Sequence, residues 1–203
     1  IGTRMDIDVL AKYAKYFGLG VKTGVELPSE VAGSVASRET AEKNNHSWQP
    51  GDMMSAVIGQ SYNAFTPLQM AKYISMVANG GNKITPTILE SVIRADGTEV
   101  PKEEVEQTIK AKLGITDDGT EDLTISQTSI DVVKEGMRSV TSDESGTAYS
   151  VFKNFPIEVG GKTGSAETES GANNGKTNAW FAGFAPYDDP EIAVVVFVEN
   201  GGH

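Results

Sequence analysis

Lys162, Thr163 and Ser165 stand close together around Gly164, in the stretch Val159-Gly160-Gly161-Lys162-Thr163-Gly164-Ser165-Ala166-Glu167. A lysine ammonium can stabilise a nearby anion or hold a hydroxyl for proton transfer. Hydroxyls can grip a carboxylate, and a strand glycine lets another backbone lie against it. Side chains alternate along an extended strand, so Lys162 and Gly164 share one face while Thr163 and Ser165 share the other. At a sheet edge such a strand can pair with an extended peptide. One of its N–H groups can also serve an oxyanion hole, a donor typically worth about 2.7–4 kcal/mol of barrier. These are the parts of an acyl-transfer site, and K-T-G is the third of three motifs in one class of serine acyl-transfer enzymes.

A nucleotide reading of Gly161-Lys162-Thr163 fails on spacing. A phosphate loop needs a glycine five residues before its G-K pair, and that position holds Pro156. For Gly175-Lys176-Thr177 the same position holds Ser170. The formal net charge of -11 argues against a nucleic-acid partner, since phosphate binding needs a basic face. The acidic clusters Asp117-Asp118, Glu121-Asp122 and Asp143-Glu144 read as solvated loops, with no calcium-loop pattern around them. The chain has no cysteine, which excludes disulfides, thiolate zinc sites and cysteine nucleophiles. His46 and His203 are the only histidines, too far apart in sequence to suggest a metal site or a Ser-His-Asp triad, and His46 reads as a surface residue. No apolar run approaches a membrane span, and no secretory leader opens the sequence. The absence of an initiator Met suggests a piece of a longer protein.

The elements that must position the lysine and hydroxyls follow from periodicity. Residues 6–17 read as a helix ended by Gly18 and Gly20, and 29–51 as an irregular loop. Residues 66–79 read as a helix opened by a Thr66/Gln69 capping box with Pro67 at its first position. Its apolar residues spread over much of its circumference, which predicts central burial. Ile88 to Arg94 and the segment after Asp96-Gly97 suggest a hairpin, and 101–125 a charged surface excursion. A helix over 129–140 should turn Ile130, Val133, Met137 and Val140 inward, with a short helix following from about Thr147 to Lys153. Strands are predicted at 157–167, 179–185 and 192–198. The unbroken apolar run Ile192–Val198 predicts a strand covered on both faces. The expected class is α+β, an antiparallel sheet flanked by helices.

Several segments carry a family resemblance. Tyr16-Phe17-Gly18-Leu19-Gly20, with Thr23-Gly24-Val25-Glu26-Leu27-Pro28, resembles the FGLG-x-x-TG-[IV]-x-LP segment of class B penicillin-binding proteins. Ile58-Gly59-Gln60, Thr66-Pro67-Leu68-Gln69-Met70-Ala71 and Ala78-Asn79-Gly80-Gly81 are similar to their IGQ…TPLQ-A…ANGG helix. Gly146-Thr147-Ala148 matches the GTA before their K-T-G. Trp180-Phe181-Ala182-Gly183-Phe184-Ala185-Pro186 and Val198-Glu199-Asn200-Gly201-Gly202 match their final strands. The likeness runs in order from Ile1 to His203.

The resemblance implies the penicillin-binding protein transpeptidase or serine β-lactamase-like fold, here incomplete at both ends. Residues 1–203 would be the C-terminal portion of a transpeptidase domain. Its helical and loop part would run to about 156, and the K-T-G and final strands would occupy about 157–200. The parent enzyme would cross-link peptidoglycan stem peptides by D,D-transpeptidation through a serine acyl-enzyme. Lys162 would face the active-site serines and support proton shuttling. Thr163 and Ser165 would hold the carboxylate of a D-Ala-D-Ala stem or of a β-lactam, beside Gly164. The Ser165 N–H would be an oxyanion donor. No metal or cofactor is implied. The partners would be stem peptide, β-lactams and the missing N-terminal half of the domain. The parent would sit on the extracytoplasmic face of the bacterial membrane, anchored by an N-terminal segment.

Two strings imitate the other motifs. Ser150-Val151-Phe152-Lys153 is S-x-x-K and Ser61-Tyr62-Asn63 is S-x-N. Both fall in the wrong places, because the family's nucleophile motif comes first in sequence. Its S-x-N lies shortly before the stretch matching Ile1-Gly2-Thr3-Arg4-Met5. Ser61 stands where family members commonly carry Gly. The nucleophile and second serine are therefore expected upstream of residue 1, and the chain alone is expected to be inactive. The alternatives are a serine β-lactamase or β-lactam sensor, and a non-catalytic cell-wall-binding or scaffold module.

Overall fold

Thr66 and Gln69 open the central helix, α4 (Pro67–Ala78), by reciprocal bonding. Gln69 N donates to Thr66 Oγ1 at 3.1 Å and Thr66 N donates to Gln69 Oε1 at 2.9 Å. The computed structural model describes residues 2–114, 120, 122–167 and 177–202. Ile1, His203, Asp117-Asp118, Glu121 and the Gly175-Lys176 pair lie outside the described residues.

Helix α1 (Ile7–Tyr16) is capped by Asp6, and short helices α2 (Arg38–Lys43) and α3 (Asp52–Ala56) precede α4. Then come α5 (Lys102–Leu113), α6 (Gln127–Ser142) and α7 (Tyr149–Phe152). The strands are β1 (Gly160–Glu167), β2 (Thr177–Ala185) and β3 (Ile192–Val198). They form one antiparallel sheet in the order β1-β2-β3, which leaves β1 at an edge. Ile74 and Val77 from α4, Met137 from α6, and Ala182 and Phe184 from β2 form the sheet core. A second cluster gathers Ile7, Ala36, Met53 and Ala56. Among the described residues no helix is long and apolar enough to cross a membrane.

Four sequence expectations need correction. The stretch 29–51 is not wholly irregular, because Ser37 accepts from Thr40 N at 3.0 Å and starts α2. With only Ala41 buried, so short a helix leaves no periodic trace. The expected hairpin forms only around its tip: Arg94 N donates to Thr98 O and Val100 N to Val92 O, both at 2.8 Å, on either side of the Ile93–Glu99 bridge and a turn in which Gly97 has φ of 86°. In α6, Val133 is exposed, while Ile130, Met137 and Thr141 form the buried stripe. The run in β3 is covered on one face only: Ala193 and Val195 meet the core, whereas Ile192, Val194, Val196 and Val198 are exposed. Among the described elements both helices that pack on the core, α4 and α6, meet that one face, so alternation decides the burial of an all-apolar strand.

Candidate functional site

Two glycines set how closely β1 approaches its neighbours. A Cβ on Gly160 would lie 2.6 Å from the Phe184 ring, and one on Gly161 would lie 2.6 Å from the Phe181 ring. Both positions are closed to side chains by the aromatic residues of β2. At the start of β1, Thr141 Oγ1 of α6 lies 2.5 Å from Val159 O and 2.8 Å from Arg138 O, which fixes the strand to the helix. Nearby, Arg138 Nε donates to Glu158 Oε1 at 2.6 Å, and that carboxylate makes the guanidinium hold its proton more tightly.

The register places Lys162 opposite Ala182, Thr163 opposite Phe181, Gly164 opposite Trp180 and Ser165 opposite Ala179. Directly paired residues share a face, so Lys162 and Gly164 lie on the face of Ala182 and Trp180. Thr163 and Ser165 lie on the face of Phe181, whose ring stacks on Phe152 of α7 at 5.4 Å. Lys162 is exposed, and its Nζ donates to Thr163 O at 2.5 Å. An ammonium has three donors, so this bond leaves capacity for an incoming group. Gly164 differs from its neighbours: a Cβ there would meet only Trp180 Cβ, at an ordinary 3.5 Å. Among the described residues, packing does not demand glycine at 164. The outer edge of β1 carries backbone groups that no strand of the sheet pairs.

A residue without an assigned role in the sequence reading joins the site. Thr147 Oγ1 lies 2.7 Å from Thr163 Oγ1. The GTA triplet marked the segment as a family match, but no spacing rule said that its hydroxyl would meet the strand.

The two imitating strings stay apart from this arrangement. Ser150 and Lys153 lie at exposed α7, and among the described residues no side-chain hydrogen bond joins either to the other or to β1. Ser61 adopts a φ of 67°, the left-handed region that glycine fills without strain. Asn63 is occupied locally, with Oδ1 accepting from Ala36 N at 2.9 Å and Nδ2 donating to Ala56 O and Gln60 O. His46 pairs with Asp52 at 2.8 Å beside the second cluster, and the Asp52 carboxyl is lowered first by the Gln49 N–H and then by His46. Among the described residues no group of three or more His, Asp or Glu could hold a metal ion.

Comparison with known proteins bears on the chain as a whole. The family described as the penicillin binding protein transpeptidase domain matches residues 1–203. The peptidoglycan D,D-transpeptidase MrdA of Haemophilus influenzae is 32% identical over 214 residues, covering 100% of this chain and 31% of that protein. The crystal structure of Pseudomonas aeruginosa PBP2 in complex with WCK 5153 is similar with a TM-score of 0.79 and 30% identity, over 98% of this chain and 41% of that one. The complex between Helicobacter pylori PBP2 and MreC is similar with a TM-score of 0.74 and 26% identity, over 98% and 33%. The chain thus spans under a third of the length of the curated relatives it matches.

Proposed function

This chain belongs to the penicillin-binding protein transpeptidase family, and from that premise we propose that it supplies the K-T-G wall of a D,D-transpeptidase cleft. Residues 1–203 would be the C-terminal portion of the domain, helical and looped to about 156 and strand-bearing over about 157–200. The single observation that carries the assignment is the edge strand β1, with Lys162, Thr163 and Ser165 set around a glycine that packing among the described residues does not require.

A stem peptide ending in D-Ala-D-Ala would lie extended along the free edge of β1, pairing backbone to backbone. Thr163 and Ser165 would hold its terminal carboxylate. A serine from a segment outside this chain would attack the penultimate carbonyl. Lys162 would lower the cost of the developing negative charge and help to relay the serine proton towards the departing amine of D-Ala. The carbonyl oxygen would receive the Ser165 N–H, and Gly164 would leave room for the acyl group. The D-Ala–serine ester would then pass its acyl group to the amine of a neighbouring stem, freeing the serine and forming the cross-link. β-Lactams would acylate the same serine, with their carboxylate on the same hydroxyls. The parent would work at the extracytoplasmic face of the membrane, alongside the rest of its own domain.

The test is acylation of the full-length protein by a fluorescent penicillin. Lys162→Ala should slow labelling by about 10²–10⁴-fold without changing the circular dichroism spectrum, and Ser150→Ala should label normally. An unchanged rate in a folded Lys162→Ala protein removes Lys162 from the mechanism. Loss of the labelled site in Ser150→Ala would make Ser150 the nucleophile and overturn the reading.

A further inference from the structure

The turn between α6 and α7 presents one hydroxyl to strand β1 and is built to keep it there. Asp143 N donates to Ser139 O at 3.1 Å, Gly146 N to Asp143 O at 2.8 Å, and Ala148 N to Val140 O at 3.0 Å. A Cβ on Gly146 would lie 2.4 Å from Val140 O and 2.5 Å from Ser139 O, so no side chain fits. On the other flank Ala148 is buried. Between these clamped positions Thr147 is exposed, and its Oγ1 rests 2.7 Å from Thr163 Oγ1. An exposed hydrogen bond between two neutral hydroxyls adds little to stability, because water supplies the same bonds in the unfolded chain. The placement of the Thr147 hydroxyl over Thr163 is therefore not explained by the stability of that bond alone.

A hydroxyl carries one proton and two acceptor lone pairs. Thr163 can donate to an anion only if its proton points away from Thr147, which requires Thr147 to be the donor within the pair. Accepting that bond also polarises the Thr163 O–H, since chained hydrogen bonds strengthen one another. We propose that Thr147 is a positioning residue that fixes the Thr163 hydroxyl as a donor to the terminal carboxylate of the bound acyl donor. Thr147 acts through Thr163 and does not itself touch the substrate. The inference rests on the functional reading above, in which Thr163 holds that carboxylate.

The experiment compares acylation of the full-length protein by a penicillin and by the methyl ester of the same penicillin. The wild type should prefer the free acid, whose carboxylate the Thr163 hydroxyl would hold. Thr147→Val should slow acylation by the free acid about three- to ten-fold, leave the ester rate unchanged, and show an unaltered thermal unfolding midpoint. Thr147→Ser should restore the preference, because it restores the hydroxyl. In a Thr163→Val background, adding Thr147→Val should cost nothing further. Equal slowing of both probes would make Thr147 a structural residue, and an unchanged preference in a folded Thr147→Val protein would give it no role; either overturns the inference alone. A folded wild type that takes up neither probe overturns the functional reading and this inference with it.

Discussion

Gly161 and Gly164 stand three positions apart on one strand and are constrained from opposite directions. Gly161 is held by its own chain, since the Phe181 ring occupies the place of a Cβ. Gly164 has room for a methyl group among the described residues, so any demand for glycine there would come from a group lying against the strand. Gly161→Ala should therefore destabilise the fold by about 1–3 kcal/mol through overpacking. Gly164→Ala should leave unfolding within about 0.5 kcal/mol of wild type, yet slow acylation about ten-fold or more by displacing the reacting carbonyl. Denaturant melts and labelling rates of the two variants separate these effects, and the same stability loss at both positions would cancel the distinction. The sequence showed both glycines and could not tell them apart, because Phe181 and Phe184 reach β1 only through the register with β2. It likewise showed Thr147 without showing the hydroxyl it meets across the turn.

At the scale of the element, α4 joins the first third of the chain to the sheet. Gln69 is fully buried, and besides capping its helix it donates from Nε2 to Val21 O at 2.6 Å and to Ala32 O at 2.7 Å. One side chain thus caps α4 and pins both ends of the segment between residues 21 and 32. Lys72 is also buried, its stem against Gly18 and its Nζ 3.3 Å from Thr23 O. Gln69→Ala would strand two buried carbonyls and a helix-terminal N–H, at a cost of about 3 kcal/mol or more. Gln69→Glu should also destabilise, since a carboxylate cannot donate to those carbonyls. Chemical denaturation checks both, and a loss under about 1 kcal/mol for Gln69→Ala would deny Gln69 this joining role. The capping box was readable from T-x-x-Q spacing because it is local. The bonds to Val21 and Ala32 were not, and apolar periodicity gives no sign that the polar Gln69 and Lys72 are buried beside Ile74, Met76 and Val77.

Across the whole molecule, charges far apart in sequence tie the helical units together. Arg38 at the start of α2 donates to both oxygens of Asp6 at 2.8 Å and also to Asp8, so the cap of α1 is gripped from a distant segment. The Asp6 carboxyl falls from 3.8 to about 2, first through Arg38 and then through the Asp8 N–H. A pKa lowered in the folded state gives stability that is complete above the unfolded value and lost as pH falls through the folded one. This clasp therefore holds at neutral pH and is lost from 3.8 down through about 2. Arg38→Gln should bring the Asp6 carboxyl back towards 3.8 in a carboxyl-carbon NMR titration. A value still near 2 would leave the Asp8 N–H as its sole cause. The sequence by itself determined the α+β class, the main helices and strands, and the family. Those conclusions rest on local periodicity, capping patterns and the order of motifs along the chain. Only the tertiary structure decided which glycines packing requires, which face of β3 is covered, and that Thr147 meets Thr163. Each of these depends on which residues stand opposite one another, and sheet register and helix packing bring together groups whose separation in sequence carries no sign of the contact.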